Sequence, residues 1–205
     1  MKMWMLAAIL VFCGTSMTSC GNKTAKQSEN KAKTETPAQP EAEVAEKVVE
    51  KPTCFTAIDD YLVNQIGKDY SQGDVCVPCV YVVSMDESNP DDILVWGDFW
   101  VFNYELSGDT LKTVSGGSHP GLMHVKKTES GFEVTNFDAV ADGADNLPTA
   151  KKIFGDKFEA FSALNSDQER REEKRKQITA DYVKKHNLSA KVLQDYGWPA
   201  VELPQ

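Results

Sequence analysis

Between Ile93 and Tyr104 apolar residues occupy both parities of the chain. Ile93, Val95, Phe99 and Val101 fall on one side of an extended strand, and Leu94, Trp96, Trp100, Phe102 and Tyr104 on the other. A strand greasy on both sides is covered on both sides. β-Branched and aromatic residues dominate and Gly97 interrupts, which disfavours a helix. Gly97 also marks a candidate bulge.

The rest of the chain arranges itself around this strand. Phe55, Ile58, Leu62 and Ile66 recur at helical spacing, predicting a helix over 53–67. Thr53 or Thr56 is its expected cap, and Gly67 its expected left-handed end. Residues 75–84 predict a strand that Pro78 confines to an edge or a bulge. After the central strand come three shorter ones, 110–114, 122–128 and 132–137, separated by tight turns and by the glycine-rich run Ser115–Gly121. Such short connections predict an antiparallel meander. Beyond it the period becomes helical. Residues 149–164 place Ile153, Phe154, Phe158, Phe161 and Leu164 on one side, with Gly155 a weak point. Ser166 and Glu169 have capping-box spacing, and 168–177 contains no apolar residue, which reads as a solvated helix face. Ile178, Tyr182 and Val183 return that helix to the core. A short helix over 188–196 and a tail lying across the sheet complete the prediction: an α+β domain with a curved antiparallel meander between an N-terminal helix and C-terminal helices.

The chain has 205 residues, 41% of them hydrophobic, which suits one domain of about 150 residues plus further segments. Its net charge of −9 argues against a nucleic-acid partner, whose phosphates need a basic face. The first segment is different in kind. Lys2 precedes a short apolar run from Met3 to Cys13, too short to span a bilayer and suited to a signal-peptide core. Met17-Thr18-Ser19-Cys20 follows, with small residues before the cysteine, and resembles the lipobox of bacterial lipoproteins; Met17 stands where leucine is usual. That resemblance implies cleavage before Cys20, acylation of Cys20, export, and attachment to the inner or outer membrane of the cell envelope. Several acyl chains on one residue anchor firmly, at about 0.8 kcal/mol per buried methylene. Residues 21–53 are poor in large apolar side chains and hold six Lys and six Glu, the composition of a flexible spacer. The organisation expected is therefore a signal over 1–19, a lipid-anchored linker over 20–53 and one domain over 54–205.

Candidate chemistry is sparse. Asp98 interrupts the central strand, where it is expected to cap a bulge or face solvent at a sheet edge; turned inward instead between Trp96 and Trp100, its acidity would be weakened by burial, as in general acids and bases. His119 is its candidate partner on a neighbouring strand, within a pocket lined by Trp96, Trp100 and Tyr104. Cys76-Val-Pro-Cys79 has redox spacing, yet valines flank it and a strand sends positions i and i+3 to opposite faces. With Cys54 as a third thiol in an oxidising compartment, a disulfide from Cys54 to Cys76 or Cys79, or buried thiols, is expected over redox chemistry. A zinc site joining Cys76, Cys79, His119 and His124 lacks a second tight pair, and no metal is assigned. The run Ser115–Gly121 is not a phosphate loop, because no Gly-Lys-Ser/Thr follows it. No cofactor signature is present.

The element order, one helix, a curved meander and packing helices, resembles the cystatin-like and NTF2-like α+β group, which includes both enzymes and binding modules. The run from Gly116 to His124 and the ending Asp195-Tyr-Gly-Trp-Pro199 resemble small cell-envelope lipoproteins of Gram-negative gut-type bacteria. The resemblance covers most of 54–205 and implies a compartment rather than an activity. The expectation is a membrane-tethered binding or accessory domain, held by lipidated Cys20, with a protein or small molecule as ligand. The alternative is a hydrolase or isomerase using Asp98 and His119.

Overall fold

The structure, a computed structural model, describes residues 52–205; the signal segment, Cys20 and nearly all of the spacer lie outside the described residues. The chain enters helix α1 (Cys54–Tyr61) through a capping box in which Thr53 and Thr56 each accept from the other's backbone N–H at 3.3 Å. The helix loosens into a wider π turn over Leu62–Ile66 and tightens into a 3₁₀ turn over Gly67–Asp69. Cys54, Ile58 and Leu62 form its buried stripe, while Phe55 is exposed. Gly67 is right-handed, not left-handed. Its small size is what matters: a Cβ there would meet Cys76 Sγ at 2.9 Å.

Four antiparallel strands follow, β1 (Val75–Asp86), β2 (Ile93–Ser107), β3 (Thr110–Lys127) and β4 (Phe132–Ala139). The mostly antiparallel sheet curls into a half-barrel, with β1 at one edge carrying Pro78, as a proline requires. Two strands expected on either side of a glycine loop are one continuous strand, β3. Its glycines serve close approach rather than turning; a Cβ on Gly117 would collide with the Tyr70 hydroxyl. The bulge expected at Gly97 lies on the partner strand, between Val82 and Ser84, so the alternation of β2 passes through Gly97 unbroken.

Both faces of β2 are covered, as its pattern demands. Val95, Phe99 and Val101 pack under α1 with Ile58 and Leu62. The opposite face carries Phe102 and Tyr104, which pack with Cys79, Tyr81 and the helix α4 (Gln168–Lys185). Trp96 on that face meets α2 (Asn146–Phe154) and α3 (Phe158–Ser166) through Phe154, Phe158 and Phe161. Gly155, with φ of +52°, breaks what the sequence presents as one helix into α2 and α3. Asp167, rather than Ser166, caps α4 by accepting from the Arg170 N–H at 3.1 Å.

The segment expected as a final helix contains strand β5 (Val192–Gln194), which runs parallel to the start of β3 and makes the sheet mixed. Unpaired backbone along β3 gives this segment partners that a short helix would not supply, and Leu193 is buried by the pairing. The tail joins the sheet as β6 (Val201–Glu202) beside β5 and buries Leu203.

Candidate functional site

Asp98 does point into the protein. It is fully buried, on the face of β2 shared with Trp96 and Trp100. Trp100 Nε1 donates to one carboxylate oxygen and Ser118 Oγ to the other, each at 2.6 Å. Arg171 Nη1 stands 3.9 Å away. Burial raises the pKa of Asp98, against the pull of both hydrogen bonds and of Arg171. Both oxygens are already engaged, and the group ties β2 to β3 beneath α4.

His119 is not on that face. Strand pairing sets it opposite Phe99, one residue out of phase with Asp98, so the two side chains leave the sheet in opposite directions. His119 Nε2 lies 2.9 Å from the Tyr70 hydroxyl, and burial lowers its pKa, partly offset by Asp98 and Asp142. The fold thus does not bring Asp98 and His119 into hydrogen-bond contact. His124 sits further along β3 with Nδ1 2.8 Å from Asp92.

Cys54, Cys76 and Cys79 are free thiols, so the disulfide expected from Cys54 to Cys76 or Cys79 is not formed. Cys76 joins Cys54 on the α1 side, whereas Cys79 is on the α4 side. Burial raises the pKa of all three, that of Cys79 to about 12. That is the reverse of an activated thiolate. We expect an alkylating reagent at neutral pH to modify Cys76 more slowly than in the denatured chain, since burial disfavours the thiolate; labelling at the denatured rate would contradict this placement. No group of three His, Cys, Asp or Glu side chains converges to hold a metal among the described residues.

The aromatics proposed as pocket walls are packing groups. Tyr104 is fully buried, Trp100 stacks on Phe102 at 5.3 Å, and Trp96 Nε1 donates to the Ile153 carbonyl at 3.0 Å. Beside them lies a cluster absent from the sequence reading. Arg175 of α4 is only 4% exposed and its guanidinium lies 4.0 Å over the Phe102 ring. It donates to both oxygens of Asp195, at 2.9 and 2.8 Å, and to Tyr104, Thr113 and Glu172 at 3.2 to 3.3 Å. These bonds hold the Asp195 carboxyl below its usual pKa. Every donor of Arg175 has an acceptor, which marks a structural clamp rather than a waiting site. Counting back by four from Val183 through Thr179 reaches Arg175, so the helical stripe signalled its burial; nothing signalled Asp195.

A cleft of about 400 Å³ opens between α1 and α4, floored by Pro78 at the β1 edge. Asp59, Asp60 and Val63 line one wall, and Ile178, Asp181, Tyr182, Lys185 and His186 the other. Asp59 stands out. Burial raises its pKa from 3.8 to about 6, with Lys185 opposing and Asp60 reinforcing. Its carboxylate has no hydrogen-bond or ion-pair partner among the described residues. Across the cleft, the Tyr182 and His186 rings stack at 4.0 Å, forming a flat wall, while Asp181 is held by Gln177 at 3.0 Å. A half-buried acid with a perturbed pKa, facing an aromatic wall inside a concavity, is the arrangement by which small ligands are oriented.

No family model, curated protein or solved structure matches the chain. Among the described residues no helix is long and apolar enough to cross a membrane.

Proposed function

We propose that this chain is a lipid-anchored cell-envelope module that binds a small ligand, carrying an amine or another cationic group, in the cleft between α1 and α4. The reading of the anchor rests on the lipobox resemblance at Cys20 and on the spacer composition of 21–53. The observation that carries the binding reading is Asp59, an acid left half-buried and unpartnered inside a cavity. A bound cation would remove that electrostatic cost, and the Tyr182–His186 wall would cover the ligand's apolar part. Pro78 denies this edge to an added strand, which leaves side chains to do the recognition. The acid–base reading draws support from the weakened acidity of Asp98, but the opposite orientation of His119 tells against it.

Two measurements test the proposal. Cys20→Ser is expected to move the protein from the membrane to the soluble fraction and to abolish incorporation of labelled palmitate; a variant that still pellets with membranes overturns the anchor. Native mass spectrometry of protein extracted in mild detergent is expected to show an added small-molecule mass that Val63→Trp, which fills the cleft, removes. Identical masses for both proteins overturn the cleft as the binding site.

A further inference from the structure

Among the described residues, the outer side of β3 is paired at both ends and bare between. β5 covers Thr110–Lys112 and β4 covers Gly121–Lys127. Both neighbours run towards the middle of β3 from opposite ends, and each turns away at the rim. β4 leaves after the Val140 N–H donates to the Pro120 carbonyl at 2.8 Å, and β5 leaves at Asp195, held by Thr113 at 2.5 Å. The seven residues from Thr113 to His119 therefore form a window about 23 Å long at about 3.3 Å per residue.

Backbone direction within the window follows from the Pro120 bond. Its carbonyl points outward to Val140, so by alternation the N–H and C=O groups of Ser118 and Gly116 point outward too. Both residues are exposed, and neither has a backbone partner beyond β2 among the described residues. Gly116 has no side chain to shield the edge, and the Phe102 ring comes within 3.0 Å of where its Cβ would stand. Phe102 itself is buried beneath Arg175, and Trp100, half-buried, stacks on it. At the β5 rim Val114 and Tyr196, 42% and 96% exposed, share one hollow.

We propose that this window is a docking site for an extended peptide segment of a partner protein, which adds as a short strand between β5 and β4. Outward donors and acceptors alternating at strand spacing match a peptide backbone. Val114 with Tyr196 supply an exposed apolar anchor, and Gly116 leaves room beside it for a side chain of the incoming strand. From residue 52 onward the chain carries 15 basic and 25 acidic residues, a charge of −10, so a segment with basic flanks is favoured. The window is separate from the α1–α4 cleft, which lies at the β1 edge.

The test is amide hydrogen exchange, read by NMR on the full chain. The probe is a synthetic eight-residue peptide of alternating valine and threonine with lysine at each end, at millimolar concentration. In the free protein the Gly116 and Ser118 amides are expected to exchange as open amides, and the peptide to slow both at least about tenfold. The same peptide N-methylated at alternate positions is expected to leave them unchanged; in a folded Ser118→Pro variant, which has no amide hydrogen at 118, the original peptide is expected to leave the Gly116 amide unchanged. If Ser118→Pro does not fold, the N-methylated peptide alone decides. No slowing with the unmethylated probe, equal slowing with the methylated one, or protection already present in the free protein overturns the proposal; the last would mean that the chain's own N-terminal residues or a second copy fill the edge.

Discussion

Arg175→Ala is expected to destabilise the domain by about 3–4 kcal/mol, the usual cost of breaking a buried ion pair from one side. The loss has three sources. Asp195 loses a two-pronged partner and the Tyr104 hydroxyl is left without a donor in a fully buried position. The guanidinium also leaves the face of Phe102, opening a void under α4. The effect extends beyond the helix, because Asp195 sits at the turn where β5 leaves the sheet, so β5 and β6 should fray together. Urea unfolding measures the change. A double variant, Arg175→Met with Asp195→Leu, is expected to recover most of the lost stability, since removing both partners leaves no stranded charge. If Arg175→Ala costs under about 1 kcal/mol, a typical single hydrogen bond, the clamp is not formed in solution.

How far the fold could be read from the sequence depended on which physical signal dominated each segment. The two-faced pattern of Ile93–Tyr104 placed β2 at the centre with helices on both sides, because burial on both faces leaves few other solutions. Pro78 placed β1 at the edge, and the Thr53–Thr56 pair placed the start of α1. The failures share a cause. Glycine is ambiguous between turning and close approach, so Gly116, Gly117 and Gly121 looked like a loop while serving a strand. Val192–Gln194 joined the sheet because a distant stretch of β3 offered an unpaired edge, information absent from the local pattern. Of the candidate residues, Asp98 is buried where a bulge cap or a solvent-facing edge position was the simpler expectation, and its phase relative to His119 was not legible either. That phase depended on Ser115–Gly121 being extended, which the loop reading obscured. The α1–α4 cleft left no trace, because Asp59 and Lys185 come together only through packing.

Asp59→Asn is expected to stabilise the domain at pH 7.5 by about 1–2 kcal/mol. The sign follows from the direction of the shift. The folded state holds the Asp59 proton to a pKa of about 6, against 3.8 for the ordinary group, so folding takes up protons between those values. The stability contribution of the neutral acid is fully present below the lower value and is lost as pH rises through the upper one. The full shift would correspond to roughly 3 kcal/mol at about 1.36 kcal/mol per unit, reduced by solvent screening because the carboxylate is only partly buried. Asparagine keeps the shape without the charge, so the variant and the wild type should converge near pH 4 and separate above pH 6. Urea midpoints at the two pH values decide it. A bound cation reverses the ordering, because it favours ionised Asp59 and has nothing to pair with in the variant; saturating ligand should therefore stabilise the wild type above Asp59→Asn at pH 7.5. If the ligand-free variant is the less stable protein at pH 7.5, Lys185 already neutralises Asp59, and the cleft holds no unmet charge for a ligand to satisfy.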